Sequence, residues 1–184
     1  NNGSTVNVSG SNNGGTTAYS SATVSLGTSI NAVQDAPVAS GSATLTAVSE
    51  DTASPAGSTV STLFSGNFSD STDTVSGGSS ANSLLGVVIT ANAATSGQGK
   101  WQWLNGSTWT DISTSLTDAT GLFLTAATSV RFLPAANYNG TPGSLTVRLA
   151  DNSISAPSNG STVNISSNGG TTAYSSATVS LGTS

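Results

Sequence analysis

Apolar and polar positions alternate along this chain in short runs, and the runs read as strands. Thr5–Ser9, Ala18–Leu26, Ala43–Val48, Thr59–Phe64, Leu85–Ala91 and Lys100–Leu104 each carry β-branched or aromatic alternation. So do Thr108–Ile112, Leu122–Thr125, Val130–Leu133, Leu145–Leu149, Thr162–Ser166 and Ala173–Leu181. Gly, Asn, Ser and Pro separate them, as turns require. No window has a helical apolar stripe, and Asn92–Thr95 offers one turn at most. The pattern predicts an all-β fold with two packed sheets, a β-sandwich over 38–184. Trp103, Phe64, Leu85, Val88, Leu122, Phe132 and Leu145 are its expected core positions. The clearest hairpin is Trp101 to Trp109, with Asn105-Gly106 as a two-residue loop. That loop sets Leu104 opposite Ser107 and Trp103 opposite Thr108. It also puts Trp101 and Trp103 on one face and Trp109 on the other.

The chain also repeats itself. Gly14 through Ser29 returns letter for letter as Gly169 through Ser184, an offset of 169 − 14 = 155 positions. Just upstream, Asn2-Gly3-Ser4-Thr5-Val6-Asn7-Val8 returns as Asn159-Gly160-Ser161-Thr162-Val163-Asn164-Ile165, and two residues are dropped between the matching stretches. A period of this length is that of a whole domain, not of a solenoid unit. The chain is therefore expected to be a window on a tandem array. Both copies are expected to form the same two-strand element, with residues 10–15 as the turn of the first. A lone hairpin is marginal in water. The first copy is thus expected to dock on an exposed edge, on a neighbouring molecule, or within a split domain.

Asn31 to Val38 reads as a linker, with Pro37 forcing an extended conformation on the residue before it. Residues 1–37 would be the tail and linker of a preceding repeat. Residues 38–184 would be one nearly complete repeat, either continuous or split, with 153–184 as a separate hairpin element.

Composition narrows the function. The chain has 184 residues, 35% hydrophobic and only 6% charged, with a net charge of −5. About a third of the chain is Ser or Thr. Lys100, Arg131 and Arg148 are the only cations, too few to neutralise nucleic-acid phosphates or anionic lipid. No apolar run reaches membrane-spanning length and none resembles a signal peptide. If the protein is secreted, its signal is expected elsewhere in the parent chain. Cys, Met and His are absent. Disulfides are excluded, and the usual general base and thiol nucleophile are missing. A carboxylate pair for glycoside hydrolysis has no spacing to support it, so no catalytic residue is assigned. Such a chain fits an exposed bacterial surface protein.

Four stretches carry a resemblance. They are Gln34-Asp35-Ala36-Pro37-Val38; Val48-Ser49-Glu50-Asp51-Thr52; Gly99-Lys100-Trp101-Gln102-Trp103 with Asn105-Gly106-Ser107-Thr108-Trp109; and Val130-Arg131-Phe132-Leu133-Pro134 followed by Asn137-Tyr138-Asn139-Gly140-Thr141. In this order they resemble the cadherin-like or immunoglobulin-like tandem repeats of giant bacterial surface adhesins, including the RTX type exported by type I secretion. The likeness spans most of 33–151. Gln34 stands where that family has Asn, and Asn137 where Asp is common. The resemblance implies an immunoglobulin/cadherin-like sandwich with an extra β-hairpin from the preceding repeat. It also implies an extracellular location at the bacterial surface and adjacent repeats as partners.

Ca²⁺ is the one cofactor the residues suggest. It needs about 6–8 oxygen ligands; the resemblance would bring Asp35, Glu50 and Asp51 near a domain end, and Asp151 is expected to share a site with them. Asp70-Ser71-Thr72-Asp73 places two more carboxylates close together in a loop. The alternative is that Glu50 and Asp51 are ordinary turn and capping residues. Trp101, Trp103 and Trp109 could form a carbohydrate platform, or Trp103 or Trp109 could anchor the core. The expected function is a non-catalytic extender that projects an adhesive tip. The alternatives are a subunit of an extracellular filament or matrix, in which edge strands of neighbouring copies associate, and a carbohydrate-binding module.

Overall fold

The computed structural model describes residues 3–184, in two units: Asn1–Asn31 and Ala32–Ser184. The fold of the second unit is all-β, apart from one short helix and two 3₁₀ turns. Its strands are β1 (Val38–Ala39), β2 (Ser42–Thr44), β3 (Ser58–Thr59), β4 (Phe68–Ser69), β5 (Leu84–Asn92) and β6 (Gly99–Asn105). They continue as β7 (Thr108–Asp111), β8 (Gly121–Thr125), β9 (Ser129–Pro134), β10 (Leu145–Asp151), β11 (Thr162–Val163) and β12 (Val179–Gly182).

A six-stranded sheet runs β11-β8-β5-β10-β12-β2 and a four-stranded sheet runs β3-β9-β6-β7. Their facing side chains share one core: Val87, Ile89, Leu124, Leu145, Val147, Leu149, Val179 and Leu181 from the first, and Trp101, Trp103, Val130 and Phe132 from the second. Of the seven expected core residues, Trp103, Phe64, Val88, Phe132 and Leu145 are buried, while Leu85 and Leu122 are only partly so. β5 is apolar without alternation because it is covered on both faces. Val87 and Ile89 enter the main core, and Val88 joins Phe123, Ala150 and Ile165 in a smaller cluster on the other side.

Three local expectations are corrected. Thr59–Phe64 is not a strand. Thr59 Oγ1 accepts from the Thr62 backbone N at 3.2 Å and caps a helix, α1 (Val60–Phe64). Val60 and Phe64, four residues apart, both point inward from it. The Trp hairpin turns at Gly106-Ser107, not Asn105-Gly106, so Asn105 pairs with Thr108 and Leu104 with Trp109. Gly106, at φ +61°, supplies the positive φ that the first loop position of a type II′ turn needs. The register slips by two positions, so the faces of the three Trp residues stay as expected.

The third correction concerns the duplicated segment, whose second copy is not a hairpin. β11 pairs with β8 at one edge of the large sheet. β12 lies inside that sheet, antiparallel to β10 and parallel to β2. Between them, Ile165 and Tyr174 cover the outer face of the sheet. The segment therefore closes the domain twice, once outside the sheet and once within it.

The first copy, in the unit ending at Asn31, has no strand among the described residues. Its local turn is nonetheless that of the second copy. Gly14 N donates to Tyr19 O at 2.7 Å, and Gly169 N to Tyr174 O at 2.8 Å. Thr17 Oγ1 donates to Gly14 O at 2.8 Å, and Thr172 Oγ1 to Gly169 O at 2.9 Å. What differs is the surroundings. Val179 and Leu181 are 0% and 1% exposed, whereas their counterparts Val24 and Leu26 are 95% and 99% exposed. Gly3 and Gly160 share φ near +80°, but a Cβ on Gly160 would lie 2.2 Å from the Trp103 ring, while nothing stands within 4 Å of Gly3. Turn bonds form within the segment; strand bonds need a neighbouring strand.

Candidate functional site

Where the linker enters the second unit, three carboxylates are drawn together. β1 pairs with β4, Val38 opposite Ser69, which fixes Gln34 and Asp35 beside the loop that follows β4. That loop carries Asp70 and the 3₁₀ turn Ser71–Asp73. Asp151, the last residue of β10, pairs with Leu84 and so lies next to Asn82. All three Asp side chains are buried, Asp70 at 4% exposure.

Amide groups bridge them. Gln34 Nε2 donates to Asp151 Oδ2 at 3.0 Å, and Asn82 Nδ2 donates to Gln34 Oε1 at 2.8 Å and Asp73 Oδ2 at 3.4 Å. The Asp35 backbone N donates to Asp73 Oδ1 at 3.0 Å, and that of Asn82 to Asp70 Oδ2 at 2.6 Å. Asp70 Oδ1 is buried without any partner. Leaving such an atom unpaired costs free energy.

None of the chain's three cations serves this cluster. Lys100 pairs with Asp111 at 2.6 Å and Arg148 with Asp118 at 2.9 Å. Arg131 donates to Gln102 Oε1 at 2.9 Å and lies 4.2 Å over the Trp109 ring. Burial raises the Asp151 carboxyl above its ordinary value, and the charges of Asp70 and Asp73 add to the rise; bonds from Ser153 oppose it. Burial, and then the Asp151 charge, raise the Tyr174 hydroxyl as well.

The donor set is hard oxygen: three carboxylates and the Gln34 and Asn82 amide carbonyls. Oxygens of this kind are those Ca²⁺ takes, and the orphaned Asp70 Oδ1 is an atom that a cation would satisfy. Among the described residues, no three acidic side chains are gathered closely enough to enclose an ion as they stand.

Of the residues expected to share a calcium site, Asp35 and Asp151 lie here, though Asp35 contributes its backbone N. Glu50 and Asp51 do not. Asp51 Oδ1 accepts from Asn137 N at 2.8 Å, and Glu50 Oε2 from Asn139 Nδ2 at 3.3 Å. Glu50 borders a hollow with Tyr138, Asn139 and Ser184, at the end where β12 leaves the sheet. That end is marked by Leu145, which pairs with Leu181, while Asp151 closes the other end of β10. Seven strand residues separate the two by about 20 Å.

Trp101 and Trp103 belong to the core of the scaffold. Trp101 donates from Nε1 to Gly143 O at 2.8 Å and meets Phe132 edge to face at 5.2 Å. Trp101 and Trp103 are buried, and Trp109 is half-buried beneath Arg131. The faces of Trp101 and Trp103 are closed to a sugar, and Arg131 lies over one face of Trp109. Gln102 continues the same surface: its Nε2 donates to Asp111 Oδ1 at 2.7 Å, linking Arg131, Gln102, Asp111 and Lys100 across β9, β6 and β7. The Lys100 ammonium, then Gln102, holds the Asp111 carboxyl below its ordinary value. No helix is long and apolar enough to cross a membrane among the described residues. No protein-family model, no curated protein and no solved structure matches this chain.

Proposed function

We propose that this chain is a non-catalytic extender repeat of a large bacterial surface adhesin, with Ala32–Ser184 as one immunoglobulin- or cadherin-like sandwich and residues 1–31 as the closing segment of the repeat before it. One observation carries the proposal. The same sixteen residues bury Val179 and Leu181 in a sheet at 169–184 and leave Val24 and Leu26 exposed at 14–29. A sequence that closes one domain and then recurs immediately before its linker is what a tandem array leaves in a window of this size.

Two features support a spacer. The linker enters beside Asp151, and β12 leaves at the opposite end of the strand pair, as a repeat joined end to end would need. The chemistry-bearing motifs serve packing: Trp101, Gln102 and Arg131 are bound within the fold. In this proposal Ca²⁺ binds Asp70, Asp73 and Asp151 with Gln34 and Asn82, offsets their mutual repulsion and ties the linker to the domain.

The test is location on the cell. Antibody raised against the folded Ala32–Ser184 unit should label intact bacteria that carry the parent gene, and brief external proteolysis should remove the label. Labelling only after lysis would overturn the assignment.

A further inference from the structure

We propose that Asn139 is a self-modifying residue of this domain: the backbone N of Gly140 attacks its side chain, expels ammonia and leaves aspartate or isoaspartate in its place. Asn-Gly is the dipeptide in which such ring closure is least hindered, because glycine has no side chain to crowd the attacking N. The fold then decides which of the chain's Asn-Gly pairs can react.

Asn-Gly occurs six times in the chain. Five of the pairs, at Asn13, Asn105, Asn139, Asn159 and Asn168, lie wholly among the described residues. Ring closure needs a glycine N–H free to lose its proton and an Asn side chain free to swing over it. Three pairs fail the first condition. Gly14 N donates to Tyr19 O at 2.7 Å, Gly160 N to Phe123 O at 2.8 Å and Gly169 N to Tyr174 O at 2.8 Å. They fail the second as well. Asn13 Nδ2 donates to Val8 O at 2.6 Å and Asn168 Nδ2 to Ile165 O at 3.0 Å, while Asn159 Oδ1 accepts from Thr125 N at 3.0 Å and Thr128 Oγ1 at 2.7 Å. Gly106 N and Gly140 N have no acceptor among the described residues. Asn105, however, ends β6 and pairs with Thr108, so the ladder holds its backbone extended. Asn139 is exposed and lies outside every strand. Its single hydrogen bond among the described residues runs from Nδ2 to Glu50 Oε2 at 3.3 Å.

The step balances with water as the one co-reactant. A bond forms between Gly140 N and Asn139 Cγ as the Cγ–Nδ2 bond breaks, and the proton lost from Gly140 N leaves with the ammonia. Water then opens the succinimide. Attack at Cγ restores the normal backbone as aspartate, and attack at the main-chain carbonyl routes the backbone through the side chain as isoaspartate. Either product adds a negative charge and removes the amide that donates to Glu50. Asp51, whose Oδ1 accepts from Asn137 N at 2.8 Å, adds a second carboxylate at the same contact. The tie between this loop and Glu50 thus becomes a repulsion between like charges.

The scarcity of cations makes the test direct. The full chain is incubated at mildly alkaline pH and cut with trypsin. Cleavage after Lys100, Arg131 and Arg148 puts Asn105 in peptide 101–131, Asn139 in 132–148, and Asn159 with Asn168 in 149–184. Mass spectrometry reads the replacement of amide by carboxyl in each peptide, and fragmentation locates it. Each hydrogen bond that must open first slows ring closure by about 2- to 13-fold. In the folded chain Asn139 is therefore expected to convert about tenfold faster than Asn159 and Asn168, and faster than Asn105. In concentrated urea the differences should vanish, because the dipeptide is the same. Asn159 or Asn168 converting as fast as Asn139 in the folded chain, or the same order persisting in urea, would overturn the proposal. The product, separated by anion exchange, should melt below the unmodified chain, and Glu50→Gln should narrow that gap; a gap that Glu50→Gln leaves unchanged would contradict the repulsion.

Discussion

Leu26 and Leu181 are the same residue in the same sixteen-residue string, and they offer a comparison that holds local sequence constant. Leu181 is buried in the core between the two sheets, while Leu26 is almost fully exposed. Leu181→Ala removes a buried side chain whose neighbours belong to β10 and β2 and cannot all collapse inward. Such truncations cost about 2–5 kcal/mol, the cavity included. For a unit of this size each kcal/mol is about 2–4 °C in Tm, so a loss of about 3 kcal/mol lowers Tm by about 6–12 °C. Leu26→Ala removes no packing and should stay within about 0.5 kcal/mol, or about 1–2 °C. Urea unfolding followed by tryptophan fluorescence reads both, because Trp101 and Trp103 lie in the same core as Leu181. Equal losses for the two variants would refute the contrast, and so would a neutral Leu181→Ala.

Three further outcomes are expected. With a Kd of about 10⁻⁴–10⁻³ M, as in extracellular calcium modules, about 10 mM Ca²⁺ should stabilise by about 1.4–2.7 kcal/mol over chelator and raise Tm by about 3–11 °C; identical melting curves would rule out the ion. Asp151 has its folded pKa raised above the ordinary 3.8, so its contribution to stability is fully present below that value and is lost as pH rises through the raised one. In chelator, then, the stability difference between wild type and Asp151→Asn should move in favour of the Asn variant on going from acid to neutral pH, and Asp151→Asn should weaken the Ca²⁺ response; a pH-independent difference would contradict this. Trp101→Ala should cost about 3–5 kcal/mol because it empties the core and leaves Gly143 O without its indole donor, whereas near-wild-type melting would mean that the indole is not packed as described.

Much of the sheet structure was legible because β5, β6, β9 and β10 each carry enough apolar or alternating residues to mark a strand wherever their neighbours lie. The short elements were not. Thr59–Phe64 has the composition of a strand, and its helix depends on one hydroxyl cap and on inward packing of Val60 and Phe64. The duplicated segment shows the limit most clearly: identical letters give a buried strand at Val179–Gly182 and no strand at 24–27, because strand hydrogen bonds depend on a partner that local sequence does not encode. For the site, Asp35 and Asp151 were named on the sequence, and the Asp70/Asp73 pair was visible as two carboxylates in one loop. What joins them, β1 pairing with β4 and Asp151 with Leu84, is long-range register. Glu50 and Asp51 were drawn into the expected set by their motif, and their bonds to Asn137 and Asn139 place them about one strand length away.

The extender proposal requires repeats that join end to end. Small-angle scattering of proteins containing two, four and six concatenated repeats in Ca²⁺ measures this directly. The account predicts a maximum dimension that grows by an equal increment with each added repeat, and a cross-sectional radius that stays constant. A maximum dimension that levels off while the cross-section widens would mean that the repeats fold back on one another, and would contradict the spacer.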